Sequence, residues 1–477
     1  MSSKTNLAII WVTIETFGKQ IITLLITIIL ARLLEPSDFG LLGMVMVFIL
    51  IASVIVDGGF GAALIYKQDV TDKDYSTVFY ISLIVSIILY LVVFALSKLV
   101  ANFYDQPELV SILRWLSISF ILGSLSVVPH AMYSKEMNFK IIAKVGLVSQ
   151  LVSGVIAIII AKLGGGVWSL VAQTLLVNFF TAVIFWILNK WRPILYFSLK
   201  NLIPLVKYGI NLMFTAIINS IFDNLYYVII GKFYSSDQLG YYVQANRIQS
   251  IPPSRIQSIL QKSSFPEFTR IAHSKLETRN YFNNLFINSL FINFPILFAM
   301  AALSNDIVIF LLTDKWEAII PYLKLLCFGS LFLPVYALTS NILLAQGKSF
   351  LNLKIEIVSK ALIILTILIS IRFGIKGLII GQIINSVFFL SIYLYIINRI
   401  IKINIFQLIM IILQYLIIST IPYLLIGLFL KYYTMGHFLN ILILGSLYVL
   451  IYFALARVFK LNKHIRINIL LNSILKR

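Results

Sequence analysis

The sequence has very few of the residues from which enzyme and metal sites are commonly built. Among 477 residues there is one cysteine, Cys327, and there are four histidines. A single cysteine excludes internal disulfides, cysteine-based metal sets and a redox pair. The histidines, at positions 130, 273, 437 and 464, are too widely separated for a metal or nucleophile motif to be read from their spacing. We therefore expect no catalytic residues, no metal and no cofactor, and a protein that is not an enzyme.

A nucleotide-binding loop is missing as well. The segment GKS at 347–349 resembles the end of a P-loop, but Ile342 stands where the upstream glycine would be. The segment also follows a helical pattern, whereas a P-loop follows a strand. Energy for any transport step is therefore not expected to come from ATP bound to this chain.

Charged residues are scarce. Only 12% of the residues are charged and 60% are apolar, with a mean hydropathy of +0.98, whereas an ordinary soluble domain has about 25% charged residues. Runs of roughly 20 apolar residues, enough to cross a hydrocarbon core about 30 Å thick as a helix, recur along the chain. The sequence therefore predicts an all-α polytopic membrane protein.

The charges that remain are mostly basic, with 38 Lys and Arg against 18 Asp and Glu. An excess of this size can indicate nucleic-acid binding. Here, however, the basic residues fall in short loops between apolar runs, which is the pattern of membrane topology. We expect no nucleic-acid partner.

Thirteen apolar spans can be read from the sequence, and one further stretch is too polar to face lipid. This stretch covers residues 241–271. The basic clusters that follow it lie on the cytoplasmic side only if the stretch crosses the membrane as the eighth span. We predict about 14 transmembrane helices with both termini cytoplasmic. The alternative is a re-entrant helix or one that lies on the membrane surface. The apolar spans lie near 7–31, 39–65, 77–97, 109–132, 141–162, 166–188, 208–231, 284–304, 318–344, 353–372, 375–397, 405–430 and 438–457.

The chain contains an internal repeat. ARLLEPSDFGLL at 31–42 aligns without gaps on GKFYSSDQLGYY at 231–242, at an offset of 200 residues. The match runs through polar loop positions, where apolar composition does not force it. It predicts two six-helix lobes in a parallel repeat, related by an axis along the membrane normal. We assign residues 1–200 and 201–400 to these lobes, and residues 401–477 to two additional helices and a basic cytoplasmic tail.

The eighth span carries a cationic stripe. At about 100° per residue, Arg247, Arg255 and Lys262 fall within an arc of about 80° on one helix face. Charged residues inside a membrane protein normally line water or a substrate path. Arg and Lys attract phosphate, and Asn and Gln exchange hydrogen bonds with sugar hydroxyls. We therefore predict a path for an amphiphile with a phosphate-bearing, sugar-rich head; the alternative is a merely solvated cavity wall. The predicted substrate-binding residues are Arg247, Arg255, Lys262, Asn219, Asp223 and Gln257.

Other ionisable residues lie in the first two spans. Glu15 and Lys19 are spaced i,i+4 and can pair, and Asp57 lies at a similar depth in the second span. We predict an ion-coupling or gating role for these three residues. The alternatives are a structural salt pair that locks the first helix and, for Asp57, a carboxylate that neutralises a neighbouring cation.

Three segments resemble one transporter family. ARLLEPSDFGLLGM at 31–44, VDGGFGAALI at 56–65 and LGYYVQANRIQSIPPSRIQSILQKSSFPEFTRI at 239–271 are similar to the Wzx-type flippases of the polysaccharide transporter family, within the multidrug/oligosaccharidyl-lipid/polysaccharide superfamily. The resemblance covers nearly the whole chain. The double proline at 252–253 and the amide-rich spacing of the eighth span depart from the family pattern.

The resemblance implies two six-helix lobes around a cationic cavity, in a bacterial inner membrane. It also implies a task, the movement of polyprenyl-diphosphate-linked oligosaccharide units to the outer face by alternating access, for O-antigen, capsule or exopolysaccharide synthesis. A polysaccharide polymerase, chain-length machinery and membrane lipid are the implied partners.

The alternative functions are a multidrug or metabolite exporter, a peptidoglycan-precursor flippase and a non-transporting scaffold. Fourteen spans and a basic eighth span argue against a drug exporter, and ionisable residues inside the spans argue against a scaffold.

Overall fold

The protein is helical in every part that can be described. The structure, a computed structural model, describes residues 3–432, 436–459 and 461. Within these residues the regular elements are all helices, without any strand, which confirms the all-α prediction. The predicted basic tail lies almost entirely outside the described residues. Packing divides the chain into two units, Met1–Val243 and Gln244–Arg477. The lobes inferred from the repeat stay a prediction.

The described part of the first unit contains ten helices and the start of an eleventh. Helix α1 packs along α7, α7 packs on α8, and α4 packs on α6. The helices are α1 Ser3–Leu33, α2 Pro36–Asp57, α3 Phe60–Tyr66, α4 Asp72–Tyr104, α5 Leu109–Leu116, α6 Ile118–Lys135, α7 Phe139–Lys162, α8 Val167–Leu188, α9 Leu199–Asp223, α10 Leu225–Phe233 and α11 Ser236–Arg270.

The second unit, over its described residues, contains the rest of α11 and eight further helices. In this unit α12 packs on α18, α14 on α17, and α16 on α17. Two short 3-10 turns, Asp314–Ile319 and Ile371–Phe373, join helices within the unit. The helices are α12 Lys275–Ala302, α13 Ser304–Leu312, α14 Ile320–Gly329, α15 Leu333–Ala345, α16 Ser349–Ser370, α17 Gly374–Ile401, α18 Ile405–Tyr432 and α19 His437–Val458.

Local sequence explains the ends of α2, the helix that positions much of the site. A proline at the first helical position pre-sets the backbone angle of a helix start, and Pro36 occupies that position. Glu35 and Asp38 form a capping box across the first turn. The helix ends at Gly58, whose φ of 53° is a left-handed conformation that glycine adopts without a steric penalty. The second predicted span is therefore a helix broken by the glycine pair at 58–59.

Membrane-length apolar helices in the described ranges number eleven, or twelve when the bent pair Leu212–Asp223 and Leu225–Phe233 is taken as one span. One of the eleven, the segment Ser349–Ile401, is 53 residues long and would measure about 80 Å as a straight helix. It consists of α16 and α17, which pack on each other, so it supplies two crossings of a core about 30 Å thick. Helix α11 is too polar to count by hydropathy. A multi-pass membrane protein is thus confirmed, and the count of fourteen stays a prediction.

Candidate functional site

Within the first unit, the predicted ion pair on α1 is formed. The Lys19 Nζ donates to the Glu15 Oε1 at 2.6 Å, one helical turn away. Both side chains are only partly exposed, Lys19 at 41% and Glu15 at 18%. A Cβ atom at Gly146 on α7 would overlap the Lys19 side chain. The absence of a side chain at that position is therefore what lets the ammonium group lie between α1 and α7.

Asp57 and a histidine extend this pair into a cluster. The Asp57 carboxylate accepts a hydrogen bond from the backbone of Gly59 and interacts electrostatically with His130 on α6. His130 in turn interacts with Glu15, Lys19 and Asp57. We name these four residues the charge cluster. It brings together all three predicted coupling residues, from α1 and α2, and adds His130, to which no sequence motif pointed.

Two residues of the charge cluster are exposed. Asp57 and His130 are exposed, although each sits in an apolar, membrane-length segment. Ionisable groups at such positions are expected to line water and not lipid. Within the described residues, no three His, Cys, Asp or Glu side chains are placed to hold a metal ion. The cluster has two acids, one ammonium group and an imidazole, and these can exchange protons or attract a monovalent cation.

Asn219 and Asp223 lie together on α9, also in the first unit. Both side chains are exposed, and the two residues are one turn apart on the same helix face. Asp223 is the last residue of α9, and the chain bends by 40° at Asn224 before α10 begins. The seventh predicted span is therefore a broken helix, and the predicted pair lies at the break.

Helix α11 carries the remaining predicted binding residues. It runs for 35 residues without interruption, through Pro252 and Pro253, so the predicted eighth helix is present. Of its stripe, Arg247 and Lys262 are exposed and Arg255 is half-buried, and Gln257 nearby is half-buried too. The four therefore share one helix, with three cations along a single face.

Two amides of α11 are buried. Gln244 is fully buried and Gln249 is 1% exposed. Among the described residues, neither side-chain Nε2 has a hydrogen-bond partner. A buried donor without a partner destabilises a structure by about 1–3 kcal/mol. Both amides lie on the helix that carries the cationic stripe.

Two glycines allow the first turns of α2 and α11 to touch within the first unit. A Cβ atom at Gly40 would overlap the Ser236 carbonyl, and a Cβ atom at Gly240 would overlap the Pro36 carbonyl. These contacts are reciprocal, because positions 36 and 40 correspond to 236 and 240 at the repeat offset of 200 residues. The two helices also begin at the same register, at Pro36 and Ser236. We name this contact the glycine crossing.

Comparison with known proteins identifies the family. The family profile described as "Polysaccharide biosynthesis protein" matches residues 29–321. The chain is 25% identical to the teichuronic acid biosynthesis protein TuaB of Bacillus subtilis over 342 residues, or 71% of each chain. It is 28% identical to the lipopolysaccharide biosynthesis protein WzxC of Escherichia coli over 381 residues, which are 75% of this chain and 74% of WzxC.

A solved structure has the same fold. The lipid II flippase MurJ in its inward closed conformation superposes with a TM-score of 0.74, and the match covers 95% of this chain and 99% of MurJ at 17% identity. This similarity concerns the fold alone. The sequence matches confirm the resemblance to Wzx-type transporters, and the family profile spans more than half of the chain. The protein therefore belongs to the polysaccharide biosynthesis protein family.

Proposed function

We propose that this protein moves polyprenyl-diphosphate-linked oligosaccharide units from the cytoplasmic to the outer face of a bacterial inner membrane. The observation that carries the proposal is α11, a continuous 35-residue helix with a cationic stripe in a chain that is otherwise 60% apolar. Guanidinium and ammonium groups bind diphosphate through charge-assisted hydrogen bonds. The names of TuaB and WzxC, both polysaccharide biosynthesis proteins, support the same class of substrate.

In this proposal different residues bind different parts of the substrate. Arg247, Arg255 and Lys262 bind the diphosphate at successive depths along α11. Gln257 on α11, with Asn219 and Asp223 on α9, exchanges hydrogen bonds with sugar hydroxyls. The polyprenyl chain stays in lipid, because withdrawing it would lose about 0.8 kcal/mol per CH₂ group. No bond is made or broken, so the protein acts as a transporter and not as an enzyme.

In this proposal the charge cluster couples transport to the binding or release of an ion. Glu15, Lys19, Asp57 and His130 carry one net negative charge when the imidazole is neutral, and none when it is protonated. Binding or release of one proton or monovalent cation therefore changes the field inside the first unit. Such a change biases a transporter between two conformations when it stabilises one more than the other.

The glycine crossing is the proposed outer gate. Both helix starts follow loops that the predicted topology puts outside, and α2 and α11 come from the two predicted lobes. Closing these helices at the crossing and opening them again is the motion that alternating access requires. The polymerase and chain-length machinery that use the flipped unit are the proposed functional partners.

Complementation tests the proposal. A strain that lacks its own flippase is scored for surface polysaccharide with the parent protein, with Arg255→Ala, and with Arg399→Ala as a control at equal membrane levels. Arg399 lies in the last turn of α17, where its guanidinium stacks on Tyr395. We expect export with the parent and the control and none with Arg255→Ala. Equal export by all three would exclude the stripe as the phosphate path.

A biochemical assay tests the proposal when the host strain does not make an oligosaccharide that this protein moves. The purified protein is reconstituted in vesicles, and movement of a fluorescent polyprenyl-diphosphate disaccharide to the opposite leaflet is followed by its access to a soluble quencher. Movement by the parent but not by Arg255→Ala is expected. Movement of a simple fluorescent phospholipid at the same rate would contradict recognition of the diphosphate.

A further inference from the structure

A cleft on the surface of the first unit is lined by one cation and several aromatic side chains. It is formed by the second half of α4, by α5 and by the first residue of α6. Its volume is about 640 Å³, within the range of small-molecule sites. Its walls include Tyr90, Phe94, Arg114, Trp115 and Ile118. None of these residues belongs to the charge cluster or to the predicted substrate path.

Arg114 is held in one orientation. Its Nε donates to the Ser97 Oγ at 3.1 Å, and its guanidinium carbon lies 4.1 Å from the centroid of the Phe94 ring. Ser97 is fully buried, so this anchor is fixed within the packing of α4 against α5. The guanidinium plane therefore lies on an aromatic face, with its two terminal nitrogens left to bind something else.

The charge of Arg114 is not neutralised within the described part of the chain, where it forms no salt bridge. The side chain is half-buried, and Trp115 beside it is 55% exposed. Leu91 and Leu99 on the same helix as Phe94 are 58% and 63% exposed, so the cleft lies beside an exposed apolar surface, which in a membrane-spanning helix is expected to face lipid. An unpaired guanidinium at a lipid-facing position is unfavourable unless an anion joins it.

The cleft lies toward the outer end of the third predicted span. Ser97 is the last residue of that span, 77–97, and α4 continues beyond it to Tyr104. Arg114, whose Nε donates to Ser97, lies in the last turn of the short helix α5. Tryptophan and arginine are typical of the interfacial layer of a membrane. Arg binds phosphate oxygens through two parallel N–H donors.

We propose that this cleft binds the phosphate group of an anionic phospholipid from the outer leaflet. The terminal nitrogens of Arg114 donate to the phosphate, and the rings of Tyr90 and Trp115 contact the first carbons of the acyl chains. Bound in this way, the lipid ties α4 to α5 at the end of the first unit that faces outward.

Lipid-dependent stability of the purified full-length protein tests this site. Thermal unfolding in detergent is measured while phosphatidylglycerol, phosphatidylcholine or inorganic phosphate is added. Arg114→Gln retains an amide that reaches Ser97, and Arg114→Ala removes the group entirely. Lys98→Ala is the control, because it removes the same charge from an exposed position one residue beyond Ser97.

We expect phosphatidylglycerol to stabilise the parent and the control, with binding to both Arg114 variants weakened about tenfold or more, as for loss of a charge-assisted contact. Native mass spectrometry of the parent should retain one phosphatidylglycerol molecule that Arg114→Gln does not. An equal response of parent and variants would overturn the proposal. An equal response to inorganic phosphate would overturn the lipid assignment and leave a simple anion site.

Discussion

At the scale of single residues, Gly146 is as much a part of the charge cluster as the ionisable groups. We expect Gly146→Ala to push the Lys19 ammonium away from Glu15, because the new methyl group would occupy its place. Overpacking of this kind destabilises a protein by about 1–3 kcal/mol. Transport in vesicles should fall severely, while the thermal unfolding temperature changes only modestly.

The matched control for this change lies two turns along the same helix. Gly154 also faces α1, but a Cβ atom there would meet only the apolar side chain of Ile26. Gly154→Ala therefore imposes a similar packing strain without touching the ion pair. If both variants lost transport to the same degree, general packing between α1 and α7 would explain the effect, and the pair would have no special role.

His130 gives the charge cluster a second testable property, its response to pH. Histidine is the side chain whose charge most often changes between about pH 5 and 8. As the pH falls, protonation adds one positive charge beside Glu15 and Asp57 and brings the cluster to neutrality. We expect transport by the parent to vary with pH and transport by His130→Gln to vary much less. Identical pH profiles would remove His130 from the coupling step.

At the scale of helices, the glycine crossing depends on two backbones approaching without side chains between them. We expect Gly40→Ala and Gly240→Ala each to separate the first turns of α2 and α11, because the added methyl group would overlap a carbonyl of the other helix. The readout is maleimide labelling of a single cysteine at position 39 or 239. Phe39 and Leu239 are buried at equivalent positions of the repeat.

Labelling at both positions should rise in the alanine variants. Gly427→Ala is the control, since no described atom lies within 4 Å of a Cβ placed there, and it should leave labelling unchanged. The native thiol, Cys327, is buried and is replaced by serine in every variant compared. Unchanged labelling in Gly40→Ala would mean that the crossing does not hold the two helix starts closed.

A second helix contact, in the second unit, ties α13 to α19. Asp306 is 1% exposed, and its Oδ1 accepts from the Asn440 Nδ2 at 2.8 Å and contacts the His437 Nδ1 at 2.9 Å. We expect Asp306→Ala to lower the free energy of unfolding by about 1–3 kcal/mol, because it leaves a buried amide without this acceptor. Thermal unfolding measures the change. Glu317→Ala, an exposed acid in the segment that follows α13, should have little effect.

Features that lie within single elements could be predicted from the sequence. Examples are the long apolar runs of the spans, the i,i+4 pair on α1, and the helical spacing of Arg247, Arg255 and Lys262. Features that depend on which elements meet could not be predicted. The role of Gly146 follows from α7 packing on α1, and Asp57 and the α1 pair lie more than 70 residues from His130 in sequence. Neither relation can be read from spacing.

At the scale of the whole molecule, the path of α11 decides the topology. If it crosses the membrane, Ser235 lies outside and His273 lies inside, and both positions are exposed. We expect a single cysteine at 235 to react with an impermeant maleimide in intact cells, and one at 273 to react only after the inner membrane is opened. Reaction of both from the same side would mean that α11 is re-entrant or lies along the surface, and the chain would then cross thirteen times.

The two buried amides of α11 bear on how the molecule moves. The Nε2 atoms of Gln244 and Gln249 have no hydrogen-bond partner among the described residues, so a conformation that exposes them to water or substrate recovers their hydrogen bonds. We expect Gln249→Leu to raise the unfolding temperature of the present conformation and to slow transport. Leucine has no hydrogen bonds to recover, so the other conformation would no longer be favoured by them. A lower unfolding temperature with normal transport would contradict this explanation.

The glycine crossing also has a mechanical consequence. Because each helix start presents the same small patch to the other, the contact resembles the self-complementary interface of a symmetric dimer. At the overlapping points it is made of main-chain atoms, with no charge to neutralise and no long side chain to reorder. In the proposed gate, opening and closing at these points would therefore separate and rejoin two backbone surfaces, without breaking an ion pair or reordering a long side chain.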